Sequence, residues 1–101
     1  MSETSAPIRQ ALRDALPGAM NARDTPARDA IRSTLAAIEN AEAVGTTEPG
    51  RPELDEEHSL EIVSAERDER LAAAAEYRGR GEHDRASRLE AEAAALDAFL
   101  C

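Results

Sequence analysis

The chain of 101 residues has no lysine and no tryptophan, and only one cysteine, one tyrosine and one phenylalanine. A single cysteine, Cys101, cannot close an intrachain disulfide. Nothing in cysteine usage therefore points to an oxidising compartment, and the cytoplasm is the expected location. With Tyr77 and Phe99 as the only rings, stacking on nucleic-acid bases has almost no material to work with, and both read as core or core-edge residues. No run approaches the roughly 18 uncharged apolar residues of a membrane span. Met1 to Pro7 lacks the basic cluster and apolar run of a secretory signal. All 12 basic residues are arginine, which together with the alanine content fits GC-rich coding better than a selected chemistry.

What is abundant is alanine and acid. Alanine accounts for 22 residues, against 19 that are Leu, Ile, Val, Met, Phe or Tyr, so a 42% hydrophobic composition overstates the surface available for a core. One small domain of modest stability is expected. The formal charge is -9, from 21 acids against 12 arginines, and it is unevenly spread. Residues 8–38 carry Arg9, Arg13, Arg23, Arg28 and Arg32 against three aspartates, whereas residues 39–69 carry eleven acids against Arg51 and Arg67. Only the N-terminal third offers a phosphate-friendly face.

Helical spacing occurs four times, and each segment is bounded by punctuation. The first covers 8–22, with Ile8, Leu12, Leu16, Ala19 and Met20 on one face and a kink or short break expected near Leu16, because Pro17 removes an amide donor. The second covers 24–44. It opens on Asp24-Thr25-Pro26 and buries Ile31, Thr34, Leu35, Ile38 and Ala41. Thr46 to Glu53, with Pro49, Gly50 and Pro52, reads as an exposed connection. A third helix, 55–78, starts on a capping Asp55 followed by two acids. Its inner face is assigned to Leu60, Val63, Leu71, Ala74 and Ala75, and Glu66 and Arg70 are expected to pair on the outside. Gly79 and Gly81 end it, and a fourth helix, 83–99, presents Ala86, Leu89, Ala93, Leu96 and Leu100. Behind a disordered N-terminus at 1–7, residues 8–101 thus read as one all-α domain, a small antiparallel bundle of about four helices.

Catalytic signatures are missing. Ser33, Ser59, Ser64 and Ser87 do not lie in nucleophile-elbow sequences, there is no Gly-rich phosphate loop, and no cofactor is expected. Asp55 and His58 have the spacing of two ligands on one helix face, but a dinuclear carboxylate bundle needs that element twice, so acids serving a helix start are the simpler reading and no metal is expected.

Two stretches carry a resemblance. Leu16-Pro17-Gly18-Ala19-Met20-Asn21-Ala22-Arg23-Asp24 and Ile31 to Glu42 (Ile-Arg-Ser-Thr-Leu-Ala-Ala-Ile-Glu-Asn-Ala-Glu) resemble the opening of the YqeY family. The second half, Glu76-Tyr77-Arg78-Gly79-Arg80-Gly81, Asp84-Arg85-Ala86, Glu90-Ala91-Glu92 and Leu96 to Leu100, is similar to the same family, and the resemblance runs from about Leu12 to Leu100. These proteins are stand-alone relatives of the tail region of the B subunit of tRNA-dependent Asp/Glu amidotransferase. Asn21 stands where the family pattern has lysine, and Cys101 where it has proline. The resemblance implies the family's N-terminal helical domain without its tail domain.

It also implies an accessory role in tRNA-dependent amidation, under a family label of carbon–nitrogen ligase with glutamine as amido-N-donor. The residues here offer no such chemistry, so the expected function is non-catalytic binding of tRNA or of a protein of the amidation or translation machinery. Arg9, Arg13, Arg23, Arg28 and Arg32 are the expected contact residues, because guanidinium groups grip phosphates through paired hydrogen bonds. The alternative is a protein-interaction or homodimerisation module that buries apolar surface near Phe99 and Leu100. Neither a membrane nor DNA is expected as a partner.

Overall fold

Four helices follow one another in the computed structural model, which describes residues 7–45 and 55–100: α1 (Ile8–Asn21), α2 (Thr25–Gly45), α3 (Glu56–Gly79) and α4 (His83–Asp97). Residues 1–6 of the expected disordered N-terminus, the proline-rich connection and Cys101 lie outside the described residues, and Pro7 is the exposed N-cap position of α1. Short polar side chains set two of the starts. Asp24 Oδ1 accepts from the Ala27 amide at 3.2 Å and opens α2, and Asp55 Oδ1 accepts from the His58 amide at 2.9 Å and opens α3. α1 has no side-chain cap of its own and no acid in its first turn. Its cap comes from α3, where both carboxylate oxygens of Glu56 accept from the Ile8 amide, at 3.1 and 3.0 Å. One carboxylate thus serves the positive ends of two helices.

Ion pairs show how the helices run. Arg13 and Arg9 on α1 meet Glu39 and Glu42 on α2, so the later residue of one pairs with the earlier residue of the other. On α3 and α4 the pairs Arg67–Asp97, Arg70–Glu92 and Arg78–Glu90 close toward the turn in the same antiparallel sense. α2 lies between α1 and α4, and α3 packs chiefly along α4. The core cluster draws on all four helices: Ile8 and Leu12 from α1, Ala30, Ile31 and Ile38 from α2, Val63 from α3 and Leu96 from α4. Leu12, Ile38, Val63 and Leu96 are wholly buried, each contributing about 1.5–3 kcal/mol by leaving water.

Four expectations are corrected. α1 runs unbroken through Pro17. The proline is exposed and stands one turn from the helix end, so the carbonyl it leaves unpaired, that of Arg13, can be satisfied by water. Met20 is 46% exposed rather than inward. On α3 the inward stripe is Ser59, Val63, Arg70 and Ala74, while Leu71 is 47% exposed and Ala75 is exposed. Glu66 and Arg70 do pair, at 2.9 Å, but inside: the side chain of Arg70 is only 12% exposed. Its guanidinium also meets Glu92 of α4 at 2.8 Å and the Ser33 hydroxyl of α2 at 3.0 Å. Burial opposes the charge of Arg70, but the hydrogen bonds to Glu66 and Glu92 outweigh it and raise the pKa.

Thr34 is fully buried, and its hydroxyl has no hydrogen-bond partner among the described residues. Thr34→Val keeps the shape and removes the orphan oxygen. It should raise stability by about 1 kcal/mol, read in urea denaturation as a higher midpoint at unchanged slope.

Candidate functional site at the corner between the first two helices

α1 ends in a Schellman arrangement: the Asp24 amide donates to the Ala19 carbonyl at 2.9 Å and the Arg23 amide to the Met20 carbonyl at 3.1 Å. The same pattern ends α3, with Glu82 donating to Tyr77 at 2.9 Å and Gly81 to Arg78 at 3.1 Å. The motif needs one residue in the left-handed region. At the end of α3 this is Gly81, with φ +78, but at the end of α1 it is Arg23, with φ +57. A Cβ there costs about 1 kcal/mol that glycine avoids. Asp24 then serves twice, closing α1 through its amide and capping α2 through its carboxylate. The two helices therefore turn within three residues and hold Arg23 on the outside of the bend.

Arginine at so tight a corner is held against backbone preference. Arg23→Gly should stabilise the fold by about 0.5 kcal/mol, the left-handed penalty relieved less the entropy that glycine adds to the unfolded chain. Thermal denaturation checks it, with an expected rise of about 3 °C.

The five candidate arginines do not form one face. Arg9 is half-buried and bonded to Glu42. Arg13 pairs with Glu39 at 3.8 Å on the surface. Arg28 holds Asp29 at 3.0 Å, and Asp29 is also held by Arg88 of α4 at 2.9 Å. The Arg28 hydrogen bond foremost, against burial and with help from Arg88, keeps the Asp29 carboxyl below its ordinary pKa. That contribution to stability is present above the unfolded carboxylate pKa and is lost as pH falls through the lower folded value. Arg23 and Arg32 are exposed and have no carboxylate partner among the described residues. Arg32 Nη2 instead reaches Met20 Sδ at 3.7 Å.

Met20 thereby becomes part of the site. A hollow of about 250 Å³ at the corner is lined by Ala19, Met20, Arg23, Asp24, Thr25 and Arg28. Arg23 and Arg28 line this hollow with Met20 and Arg32 reaches its sulfur, whereas Arg9 and Arg13 pair with carboxylates of α2 toward the other end of α1. The sequence pattern missed Met20 because helical spacing alone placed it inside.

The Asp55–His58 pair is a helix start. Asp55 Oδ1 lies 2.7 Å from His58 Nδ1 as well as accepting the His58 amide, and this hydrogen bond foremost raises the imidazole pKa above its ordinary value. Among the described residues no three His, Cys, Asp or Glu side chains are grouped to hold a metal ion, and no helix is long and apolar enough to cross a membrane.

Neither the curated proteins nor the solved structures contain a match to this chain. The family model described as Yqey-like protein matches residues 9–101, which takes in all four helices and the arginine corner. The chain belongs to the YqeY family.

Proposed function

We propose that this chain is a non-catalytic YqeY-type helical module with an accessory role in tRNA-dependent amidation, contacting the tRNA backbone through the α1–α2 corner. The observation that carries the reading is the availability of Arg23 and Arg32: of the five candidate arginines, these two have no carboxylate partner among the described residues. An arginine already bonded to a carboxylate must give up that bond to take a phosphate, so Arg9 and Arg13 gain little from RNA, while Arg23 and Arg32 exchange only water. The net charge of -9 opposes a polyanion, but at physiological ionic strength charges beyond about 8 Å are largely screened, so the corner acts locally. Few phosphates can be gripped from so small a patch, and binding is expected to be weak and salt-sensitive.

Filter retention of labelled tRNA across a salt series tests this. The wild-type chain retains tRNA at low salt, and the Arg23→Ala/Arg32→Ala variant loses about 1.5 from the slope of log affinity against log salt, roughly 0.7–0.9 per phosphate contact. Absence of retention at low salt, or a slope indifferent to both replacements, removes the reading. Incubated alone with glutamine and misacylated tRNA, the chain should form no amidated product.

A further inference from the structure

Along the flank of α3 that runs from the edge of the core outward, Leu60, Ser64, Arg67 and Leu71 fall at the i, i+4, i+7 and i+11 positions of one stripe. Beside it lie α4 and the turn that follows. Between them runs an open groove of two hollows that meet at Arg67. The first, of about 290 Å³, has Leu71, Ala93 and Ala94 on its floor. The second, of about 730 Å³, is floored by Leu60 and Leu100, two half-buried residues at the open edge of the core. Leu60 and Leu71 are eleven residues apart, about 16 Å along the helix, so three turns of an incoming helix span both hollows.

The charge around the groove is lopsided. At the Leu71 end the rim acids are occupied: Arg67 holds Asp68 at 3.1 Å and Asp97 at 2.7 Å, and Arg78 holds Glu90 at 2.7 Å. At the Leu60 end Glu57 and Glu61 make no ion pair with an arginine among the described residues, and Glu56 accepts the main-chain amide of Ile8. We infer that this groove docks a basic amphipathic helix of a partner protein, with nonpolar side chains seated on Leu71 and Leu60–Leu100 and basic side chains answering Glu57 and Glu61. Complementarity of charge selects the occupant. Uncompensated carboxylates repel nucleic acid, so this is not a second RNA face. A second copy of the chain fits poorly, because most of its own arginines are already paired.

The probe is a synthetic helix of about four turns, with leucines at i, i+4, i+7 and i+11 and lysines flanking the first two, its binding to the full chain followed by fluorescence anisotropy. A scrambled peptide of the same composition is the control. The ordered peptide should bind at least about tenfold more tightly than the scrambled one, and Leu71→Asp should weaken it about tenfold although it adds negative charge. Glu57→Gln/Glu61→Gln should weaken it about fivefold and flatten its salt dependence. Circular dichroism confirms that each variant remains folded, and Leu71 is exposed enough for replacement to leave the core alone. Equal binding of both peptides, or indifference to Leu71→Asp, means adherence by charge alone and overturns the proposal. So does a homodimer that Leu71→Asp dissolves in a chain that takes no peptide.

Discussion

Arg70→Ala lowers stability by about 3 kcal/mol, and the melting temperature by about 15 °C. The guanidinium is the meeting point of three helices: it bonds Glu66 at 2.9 Å on its own helix, Glu92 at 2.8 Å on α4 and Ser33 at 3.0 Å on α2. Glu92 is itself only 12% exposed. Removing the arginine leaves that carboxylate, in a place where water reaches it poorly, with only the longer contact to Arg88 at 3.6 Å, and the cost of an under-compensated buried charge exceeds what an intact pair contributes. The double variant Arg70→Met/Glu92→Gln takes away charge and counter-charge together. It should recover most of the loss, because a well-packed neutral pair there is close to neutral in energy. A double-mutant cycle measured by urea denaturation reads the coupling directly, and additive losses would contradict this account.

Leu96→Ala is expected to cost about 3 kcal/mol. In a core so rich in alanine, Leu96 is one of few fully buried large side chains, with Leu12, Ile38 and Val63. Its neighbours come from helices fixed by caps and ion pairs, so the site has little freedom to collapse onto the hole. A domain of this size has a total stability of about 5–10 kcal/mol, so one truncation removes about 30–60% of it. Leu71→Ala is the contrasting case. With Leu71 47% exposed, the change should stay within about 0.5 kcal/mol. Chemical denaturation of the two variants side by side tests which face of α3 and α4 points inward.

Most of the fold is legible in the residues, for local reasons. Asp24 and Asp55 cap the helices that they precede, and the stripe Ile31, Thr34, Ile38 is buried as helical spacing requires. The inward face of α3 is not legible from apolar periodicity. The position that hydrophobicity would fill with Leu71 goes to Arg70, and the reason lies on other helices, in Glu92 and Ser33. Pro17 shows a similar limit: it does not interrupt the helix, since it stands near the end of α1 on the solvent side. The arginine corner is legible in part. Composition identifies Arg9, Arg13, Arg23, Arg28 and Arg32 as the basic stretch, but Glu42 and Glu39, the partners of Arg9 and Arg13, are assigned only when α2 folds back on α1, whereas Asp29 is the sequence neighbour of Arg28 and owes only its second partner, Arg88, to the fold. Arg23 stands apart because its left-handed backbone is a property of the turn, and a reader of sequence would expect glycine there.

The chain is a four-helix member of the YqeY family, and the proposed tRNA contact at one corner rests on the distribution of free and paired arginines there. Backbone amide shifts in a nitrogen-15-labelled chain titrated with tRNA test that claim most directly. Perturbations gathered on Met20, Arg23, Thr25 and Arg32, weak at Arg9 and Arg13 and absent at Leu60 and Leu71, are the result this account predicts. Shifts centred on the α3–α4 groove, spread evenly over all five arginines, or missing at low salt would contradict it.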